Sequence, residues 1–309
     1  MNHRSFLTVC LNPTLQKTLV FSKLTMDEVN RTTEYRFDVA GKGLNASRVL
    51  AQLGEECVHL THLGGDLRPL FLELCARDKL NVEWVENRSS IRFCYTLINK
   101  ENREVTELVE NGEPIGEGTE ERLMGAFSTL ITDHSMLIIS GSKPAGFSGS
   151  LVSEMVRKAK DAGRKVVLDL RGGDLVQSLP CKPDVIKPNL AEFFSTFAPE
   201  LADIKINSGN EGMIKKKAQE ICEDLYEQYG SMIVLTRGAS QVWYAEKGTI
   251  EEFAVEPVEP LNTVGSGDAF TAGLAAALES GASLQEAVAL GSGCGKRNAL
   301  LIKPGTIEP

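Results

Sequence analysis

Short apolar runs alternate with helical patterns along most of the chain. Most of these runs end in a glycine or a polar turn, as strands do when helices cover both faces of a parallel sheet. We therefore predict an α/β fold with a mostly parallel central sheet flanked by helices on both faces, and ligands at the carboxyl ends of the strands. The predicted strands are Leu7–Leu11, Val58–Leu63, Met136–Ser140, Lys165–Leu170, Val185–Pro188 and Met232–Thr236. The predicted helices are Gly43–Leu53, Ser148–Ala162, Leu190–Phe197 and Ile214–Tyr229.

Residues 14–38 and 91–111 depart from this pattern, because polar and apolar side chains alternate there with no helix between them. The run from Arg92 to Ile98 is an example. A period of two is typical of strands with one solvated face, so we predict antiparallel strands outside the main sheet. These strands are expected to form a small β lid. The remaining α/β core comprises residues 1–13, 39–90 and 112–309.

Composition limits the classes of function. A chain of 309 residues with 42% hydrophobic and 24% charged residues is the size of a soluble enzyme with one large core. The net charge of −9 argues against a binder of nucleic acids or membrane surfaces. Seven cysteines without a C-x-x-C pair indicate reduced thiols in a cytoplasmic protein. No apolar run reaches the ~18 residues that span a bilayer. We expect a cytoplasmic protein with a small-molecule substrate.

The segment from Asn262 to Leu274 carries the strongest chemical signal. Gly265 and Gly267 permit backbone angles at which N–H groups converge at a helix start, where negative charge is favoured. Small residues then recur along the helix, which indicates close packing. An isolated Asp268 in this position would ordinarily complement the helix dipole or cap the helix. The two glycines and the apolar helix favour a second interpretation, a base that deprotonates a hydroxyl beside a phosphate.

Other polar residues have both a chemical and a structural interpretation. Lys42 lies between two glycines, where ammonium and backbone can approach an anion together, so we predict that it holds a phosphate of the substrate. Asn45 can donate to and accept from sugar hydroxyls, although capping or turn formation is its ordinary role. Glu192 follows Pro188 closely and is equally well explained as the polar first turn of a helix.

Six motifs occur in the order found in a known family. They are Leu11–Lys17, Ala40–Ser47, Ser140–Gly146, Val167–Asp169, Lys187–Glu192 and Asn262–Asp268. The chain resembles the ribokinase-like phosphofructokinase B family, and within it the branch of 1-phosphofructokinases and tagatose-6-phosphate kinases. One glycine motif alone would be weak support, whereas six in order over the whole length are specific.

The resemblance implies a ribokinase-like fold that transfers a phosphoryl group from ATP, with Mg²⁺, to a ketohexose phosphate, either fructose 1-phosphate or tagatose 6-phosphate. It implies that Asp268 is the general base and that Gly265, Ser266 and Gly267 form the anion hole. Glu192 is implied to act on Mg²⁺ through water. The implied substrate contacts are Asn12, Gln16, Gly41, Lys42, Asn45 and Arg92. The implied nucleotide contacts are Lys187, Asn189, Glu192, Thr236, Gly238 and Asn298. A homodimer through the β lid is also implied.

Gln16 stands where the family usually has an aspartate that accepts hydrogen bonds from sugar hydroxyls. An ionised aspartate only accepts hydrogen bonds, whereas the amide of Gln16 both donates and accepts them. The acceptor is therefore open, and a 6-phosphofructokinase or another sugar kinase of this fold is an alternative. A noncatalytic sugar-phosphate sensor is a second alternative, which the intact Asp268 disfavours. A dinucleotide-dependent oxidoreductase lacks its glycine fingerprint after the first strand. Lys143, Arg171 and Arg237 are additional cations that could bind a second phosphate or pair with acids.

Overall fold

The computed structural model describes residues 4–204, 207 and 209–308; residues 1–3, 205, 206, 208 and 309 of the predicted core lie outside the described residues. The strands are β1 (Ser5–Val9), β2 (Thr14–Phe21), β3 (Glu34–Ala40), β4 (Glu56–Leu63), β5 (Asn81–Glu86), β6 (Arg92–Asn99), β7 (Glu104–Val109), β8 (Met136–Ser140), β9 (Lys165–Asp169), β10 (Val185–Ile186), β11 (Met232–Leu235), β12 (Val242–Ala245) and β13 (Ile250–Phe253). The helices are α1 (Lys42–Gln52), α2 (Arg68–Arg77), α3 (Thr119–Leu130), α4 (Leu151–Asp161), α5 (Gly172–Ser178), α6 (Leu190–Phe197), α7 (Glu211–Tyr229), α8 (Ser266–Glu279) and α9 (Leu284–Ala299).

The main sheet confirms the predicted α/β fold. Within the described residues it has nine strands in the order β13-β12-β11-β10-β9-β8-β1-β4-β5. Neighbouring strands from β11 to β5 pair in parallel, whereas β12 pairs antiparallel with both β11 and β13 at one edge. The chain adds β4 and β5 on one side of β1 and β8 onward on the other. This reversal at β1 and β8 opens a crevice beyond their carboxyl ends, where ligands of such sheets bind.

Helices cover both faces of this sheet, as predicted. Every residue of β1 and β8 is buried, because the two faces are packed equally. Leu7 of β1 belongs to an apolar cluster with α3, α4, α6 and α7, and Phe6 belongs to the opposite cluster with α1, α8 and α9. The small residues of α8 serve close packing, because a Cβ at Gly273 would lie 2.8 Å from Sγ of Cys294 on α9.

The smaller sheet has the order β3-β2-β6-β7 and corresponds to the predicted lid strands. Its two hairpins, β2 with β3 and β6 with β7, are antiparallel as predicted. The inner strands β2 and β6 pair in parallel, since the chain returns through the main sheet between them and enters the lid again in the same direction. Strand β3 extends to Ala40, past residue 38, because Ala40 still pairs with Thr14.

Some elements had no signal in the sequence patterns. Helices α2, α5 and α9 and the strands β5, β12 and β13 were not predicted, because short strands and mixed helix faces show weak periodicity. In the part of the chain that the structure describes, none of the helices is both long and apolar enough to cross a membrane.

Candidate active site

Contacts with Gly305 and Asn298 hold the glycine turn before α8 in one conformation. Gly265 has a φ of 84°, in the left-handed region, and a Cβ there would lie 2.3 Å from the backbone nitrogen of Gly305. Nδ2 of the fully buried Asn298 donates to the Val264 carbonyl and to Oγ of Ser266, each at 3.0 Å. Among the described residues, no side chain caps α8. The turn is therefore a rigid helix start of the kind that favours anions.

Asp268 is only 6% exposed, in the first turn of α8, and its Oδ2 accepts from Nδ2 of Asn45 at 2.8 Å. Burial raises the pKa of Asp268 from 3.8 to about 6; Lys42 lowers it, and the charge of Asp169 raises it further. A pKa near 6 leaves the carboxylate ionised at neutral pH and more basic than an exposed aspartate. These properties suit a general base.

Asp169, the last residue of β9, is a second buried carboxylate beside Asp268. Its Oδ2 lies 3.4 Å from Nζ of Lys187 and accepts from Oγ1 of Thr271 at 3.0 Å. Burial alone would raise its pKa, but Lys187 and Lys42 hold it below the ordinary value. Sequence reasoning found the motif around Asp169 without giving this residue a role. A signal was present, since Asp169 ends a buried parallel strand at the edge where ligands bind.

The structure brings Lys42 and Glu192 together. Lys42 begins α1 directly after Gly41, and its Nζ donates to Oε1 of Glu192 at 3.1 Å. Oε2 of Glu192 accepts from the backbone nitrogen of Asn189 in a capping box, so the structural role of Glu192 is also real. The negative charge of Asp169 raises the pKa of Lys42, and burial opposes this rise. A cavity of about 260 Å³ is lined by Lys42, Asp169 and Glu192.

A second cavity, of about 590 Å³, lies on the other side of Asn189 and is also lined by Thr236, Gly238 and Arg237. Asn189 and Thr236 form a parallel bridge, which places both predicted nucleotide contacts on one rim. The guanidinium of Arg237 lies 3.9 Å from the ring centroid of Trp243 and donates to Glu211 at 2.5 Å.

Two of the additional cations thus pair with acids, since Lys143 forms an ion pair with Asp174. Arg171 precedes α5 and lines the cavity that contains Lys42. Of these three residues, only Arg171 lacks a carboxylate partner within the described residues. Of the two alternatives that the sequence left open, the structure shows ion pairs for Lys143 and Arg237.

Asn12 and Arg92 meet at the mouth of the crevice. Arg92, the first residue of β6, donates to the Asn12 carbonyl at 3.3 Å and to the Glu110 carbonyl at 2.9 Å. Nδ2 of Asn12 donates to Oγ of Ser142, which also lines the cavity of Lys42. Gln16 lies in the small sheet, where its buried Nε2 donates to Oγ1 of Thr96 at 2.6 Å.

The predicted residues therefore fall into five groups. Asp268, Asn45, Lys42 and Glu192 surround one site with Lys187 and Asn189, and Gly265 to Gly267 form its turn. Asn298 is buried beneath that turn, Thr236 and Gly238 line the neighbouring cavity, and Asn12 and Arg92 form the mouth. Gln16 is buried within the small sheet, where it is bonded to Thr96. The arrangement brings a buried carboxylate, a rigid helix start and two lysines together in one crevice.

Comparison with known proteins identifies a family and similar folds. The family model for pfkB family carbohydrate kinases matches residues 15–307. A possible 1-phosphofructokinase from Thermotoga maritima has a TM-score of 0.85 at 20% identity, covering 97% of this chain and 93% of that chain. Phosphofructokinase-2 from Escherichia coli, in complex with fructose-6-phosphate, has a TM-score of 0.80 at 22% identity, covering 96% and 94%. Ribokinase from Thermotoga maritima has a TM-score of 0.74 at 17% identity, covering 99% and 96%. These likenesses confirm the ribokinase-like fold.

Proposed function

Because the chain belongs to the pfkB family of carbohydrate kinases, we propose that it transfers a phosphoryl group from ATP to a hydroxyl of a ketohexose phosphate. The observation that carries this proposal is the environment of Asp268. Its carboxylate is buried behind the Gly265 turn, bonded to Asn45, and raised in pKa to about 6. A surface cap would have neither the burial nor the shifted pKa.

Asp268 acts as general base in this mechanism. Oδ2 is occupied by the Asn45 amide, which leaves Oδ1 to accept the proton of the attacking hydroxyl. Phosphoryl transfer needs little covalent assistance, so alignment and charge stabilisation provide most of the rate. The turn of Gly265, Ser266 and Gly267 would hold the transferred group at the positive end of α8. Lys187, buried beside this turn, would neutralise charge on the nucleotide phosphates.

The residues present fit magnesium that arrives with the nucleotide. Among the described residues, no group of three or more His, Cys, Asp or Glu side chains is arranged to hold a metal ion. Mg²⁺ commonly keeps several waters and is bound by one or two carboxylates together with substrate phosphates, so a dedicated protein cage is not needed. Glu192 would hold it through water, with Asn189 beside it; bound Mg²⁺ would neutralise phosphate charge. Thr236, Gly238 and, through the turn, Asn298 would support the nucleotide.

Contacts to the acceptor would come from the other side of the crevice. Lys42 is the candidate for the phosphate already on the sugar, together with the backbone of Gly41. Asn12 and Arg92 would close the mouth around the ligand, and Asn45 would face the reacting hydroxyl beside Asp268. We propose fructose 1-phosphate or tagatose 6-phosphate as acceptor. The first presents a C6 hydroxyl and the second a C1 hydroxyl at opposite ends of similar bisphosphate products.

ADP release measured with fructose 1-phosphate, tagatose 6-phosphate and fructose 6-phosphate tests the proposal. We expect the highest kcat/KM with one of the first two, and loss of turnover by ~100-fold or more in Asp268→Asn with ligand binding retained. The highest activity with fructose 6-phosphate would instead assign the chain to the 6-phosphofructokinases. Thermal protection by these sugars without ADP release would identify a noncatalytic sensor and refute the kinase.

We also propose a homodimer through the β lid, with residues 14–38 and 91–111 as the lid. Tyr35 and Leu108 are 60% and 52% exposed, and strand register puts both on one face of the small sheet. Exposed apolar side chains on a sheet are commonly covered by a partner. Sedimentation of Tyr35→Glu/Leu108→Glu tests this: we expect a monomer, and an unchanged sedimentation coefficient would refute the lid interface.

A further inference from the structure

A buried arginine on α1 lies behind the candidate site. The side chain of Arg48 is 3% exposed, and its Nε donates to Oδ2 of Asp78 at 2.8 Å. Its Nη2 donates to the Val39 carbonyl at 2.6 Å, near the end of β3. A buried ion pair is costly to form and weak evidence for stability, so other contacts of this guanidinium are of interest.

The remaining nitrogen of Arg48 points toward the site. Nη1 donates to Oδ1 of Asn45 at 3.0 Å and to the carbonyls of Pro304 and Gly305 at 3.1 and 3.3 Å. A guanidinium can only donate, so the amide oxygen of Asn45 must face Arg48. The amide nitrogen is then the atom that meets the carboxylate of Asp268, at 2.8 Å. In the reverse orientation the amide nitrogen would face the guanidinium, donor against donor, and the amide oxygen would face the carboxylate, acceptor against acceptor.

The chain segment held by Arg48 also supports the glycine turn. A Cβ at Gly305 would lie 2.3 Å from Cβ of Asn45, and a Cβ at Gly265 would lie 2.3 Å from the nitrogen of Gly305. Gly305 therefore lies between the residue that bonds the base and the turn that precedes it. Arg48 binds the carbonyls of this segment and the side chain of Asn45 with one nitrogen.

We propose that Arg48 is a positioning residue for phosphoryl transfer, which fixes the amide of Asn45 and thereby orients the carboxylate of Asp268. The inference rests on the proposed function of Asp268 as general base. Arg48 touches none of the reacting atoms and acts through Asn45.

The hydrogen bond from Asn45 lowers the pKa of Asp268, so its loss should move the acidic limb of kcat/KM to higher pH. Charged groups that face Asp268 are Lys42 from α1, Asp169 at the end of β9 and Lys187 after β10; the thiol of Cys10 after β1 also interacts with its charge. The proposed substitutions keep all of them.

The test compares Arg48→Met and Arg48→Lys with Lys303→Met. Lys303 bonds to the same Asp78 but forms no hydrogen bond with Asn45 among the described residues, so it is the matched control. Displacing a catalytic group by about an ångström costs up to ~100-fold in rate. We expect both Arg48 variants to lower kcat by about 10- to 100-fold, to raise the acidic pKa of kcat/KM, and to leave KM for ATP unchanged. Lys303→Met should keep the wild-type pH profile.

A double-mutant cycle tests the route through Asn45. In an Asn45→Leu background, Arg48→Met should add little further loss of kcat, because the two residues act as one unit. Asp78→Asn keeps Arg48 but removes the carboxylate charge that pairs with its guanidinium, and it replaces Arg48→Met if that variant does not fold; a smaller shift of the acidic pKa in the same direction is then expected.

Three outcomes would overturn the inference. They are a wild-type pH profile in both Arg48 variants, full rescue by Arg48→Lys, and additive losses in the cycle with Asn45→Leu. Failure of the proposed function looks different: Asp268→Asn would then retain normal turnover. An inactive Asp268→Asn together with unaltered Arg48 variants refutes only the positioning role.

Discussion

Replacing Asp268 by asparagine should stabilise the protein at neutral pH while it removes activity. The pKa of Asp268 rises from 3.8 to about 6 on folding, mainly because burial disfavours the charged form. A shift of about two units corresponds to ~3 kcal/mol of differential interaction. Asparagine keeps an oxygen for Nδ2 of Asn45 and carries no charge, so it avoids this cost.

The direction in which stability changes with pH depends on which state of the chain binds more protons. Between pH 3.8 and about 6, the folded chain retains a proton on Asp268 that the unfolded chain has lost. The free energy of unfolding therefore falls as pH rises through this window, and the loss is complete above pH ~6. The free energy of unfolding of Asp268→Asn, relative to that of the wild type, should therefore increase by ~3 kcal/mol from pH 4 to pH 7.5. Urea unfolding followed by circular dichroism measures this difference.

Asp169→Asn provides the matched control in the same cavity with the opposite sign. Lys187 and Lys42 hold the pKa of Asp169 below its ordinary value despite burial, so its charge stabilises the fold above that value. Asp169→Asn should therefore be less stable than the wild type at pH 7.5, and the deficit should shrink as pH falls. A stability difference for Asp268→Asn that does not change with pH would refute the reasoning, as would a less stable variant at pH 7.5.

Three further predictions concern substrate binding and the turn. Lys42→Met should raise KM for the sugar phosphate about tenfold or more with a smaller effect on KM for ATP, whereas Lys143→Met should not; equal effects would count against a phosphate contact. Gln16→Asp should change the ratio of kcat/KM among the ketose phosphates more than it changes KM for ATP, and uniform changes would contradict this role. Gly265→Ala should lower the free energy of unfolding by about 2 kcal/mol or more, because its Cβ meets backbone. Gly281→Ala, equally left-handed but in open space, should cost only ~1 kcal/mol in the same urea titration, and equal losses would contradict the steric explanation.

Local patterns predicted the parts of the fold that depend on local physics. The predicted bounds of β8 and α6 match the structure. A continuous apolar run sets the bounds of β8, and the Asn189 cap after Pro188 sets the start of α6. The glycine turn before Asp268 was also predicted, because the turn needs a left-handed residue and the sequence has Gly265 there. Lys42 and Glu192 were assigned to different ligands, and their direct contact was not foreseen.

The remainder depends on contacts between distant parts of the chain. Asn45 and Asp268 are separated by 223 positions, and Arg48 and Gly305 by 257. Hydrophobic periodicity carries no information about such pairs, so an amide on a helix could only be assigned its ordinary role. The parallel pairing of β2 with β6 has the same origin, because register between separated strands is set by the fold around them.

The place of Gly305 between Asn45 and Gly265 constrains when the site can form during synthesis. A ribosome delivers the lid strands, Lys42 and the whole main sheet before it delivers residue 305. Until that residue has emerged, Arg48 lacks the carbonyls of Pro304 and Gly305, and the turn before α8 lacks its contact with Gly305. The α/β scaffold can therefore assemble before the candidate site is complete, and the contacts of Gly305 with Asn45 and Gly265 form only when the segment after α9 packs against them.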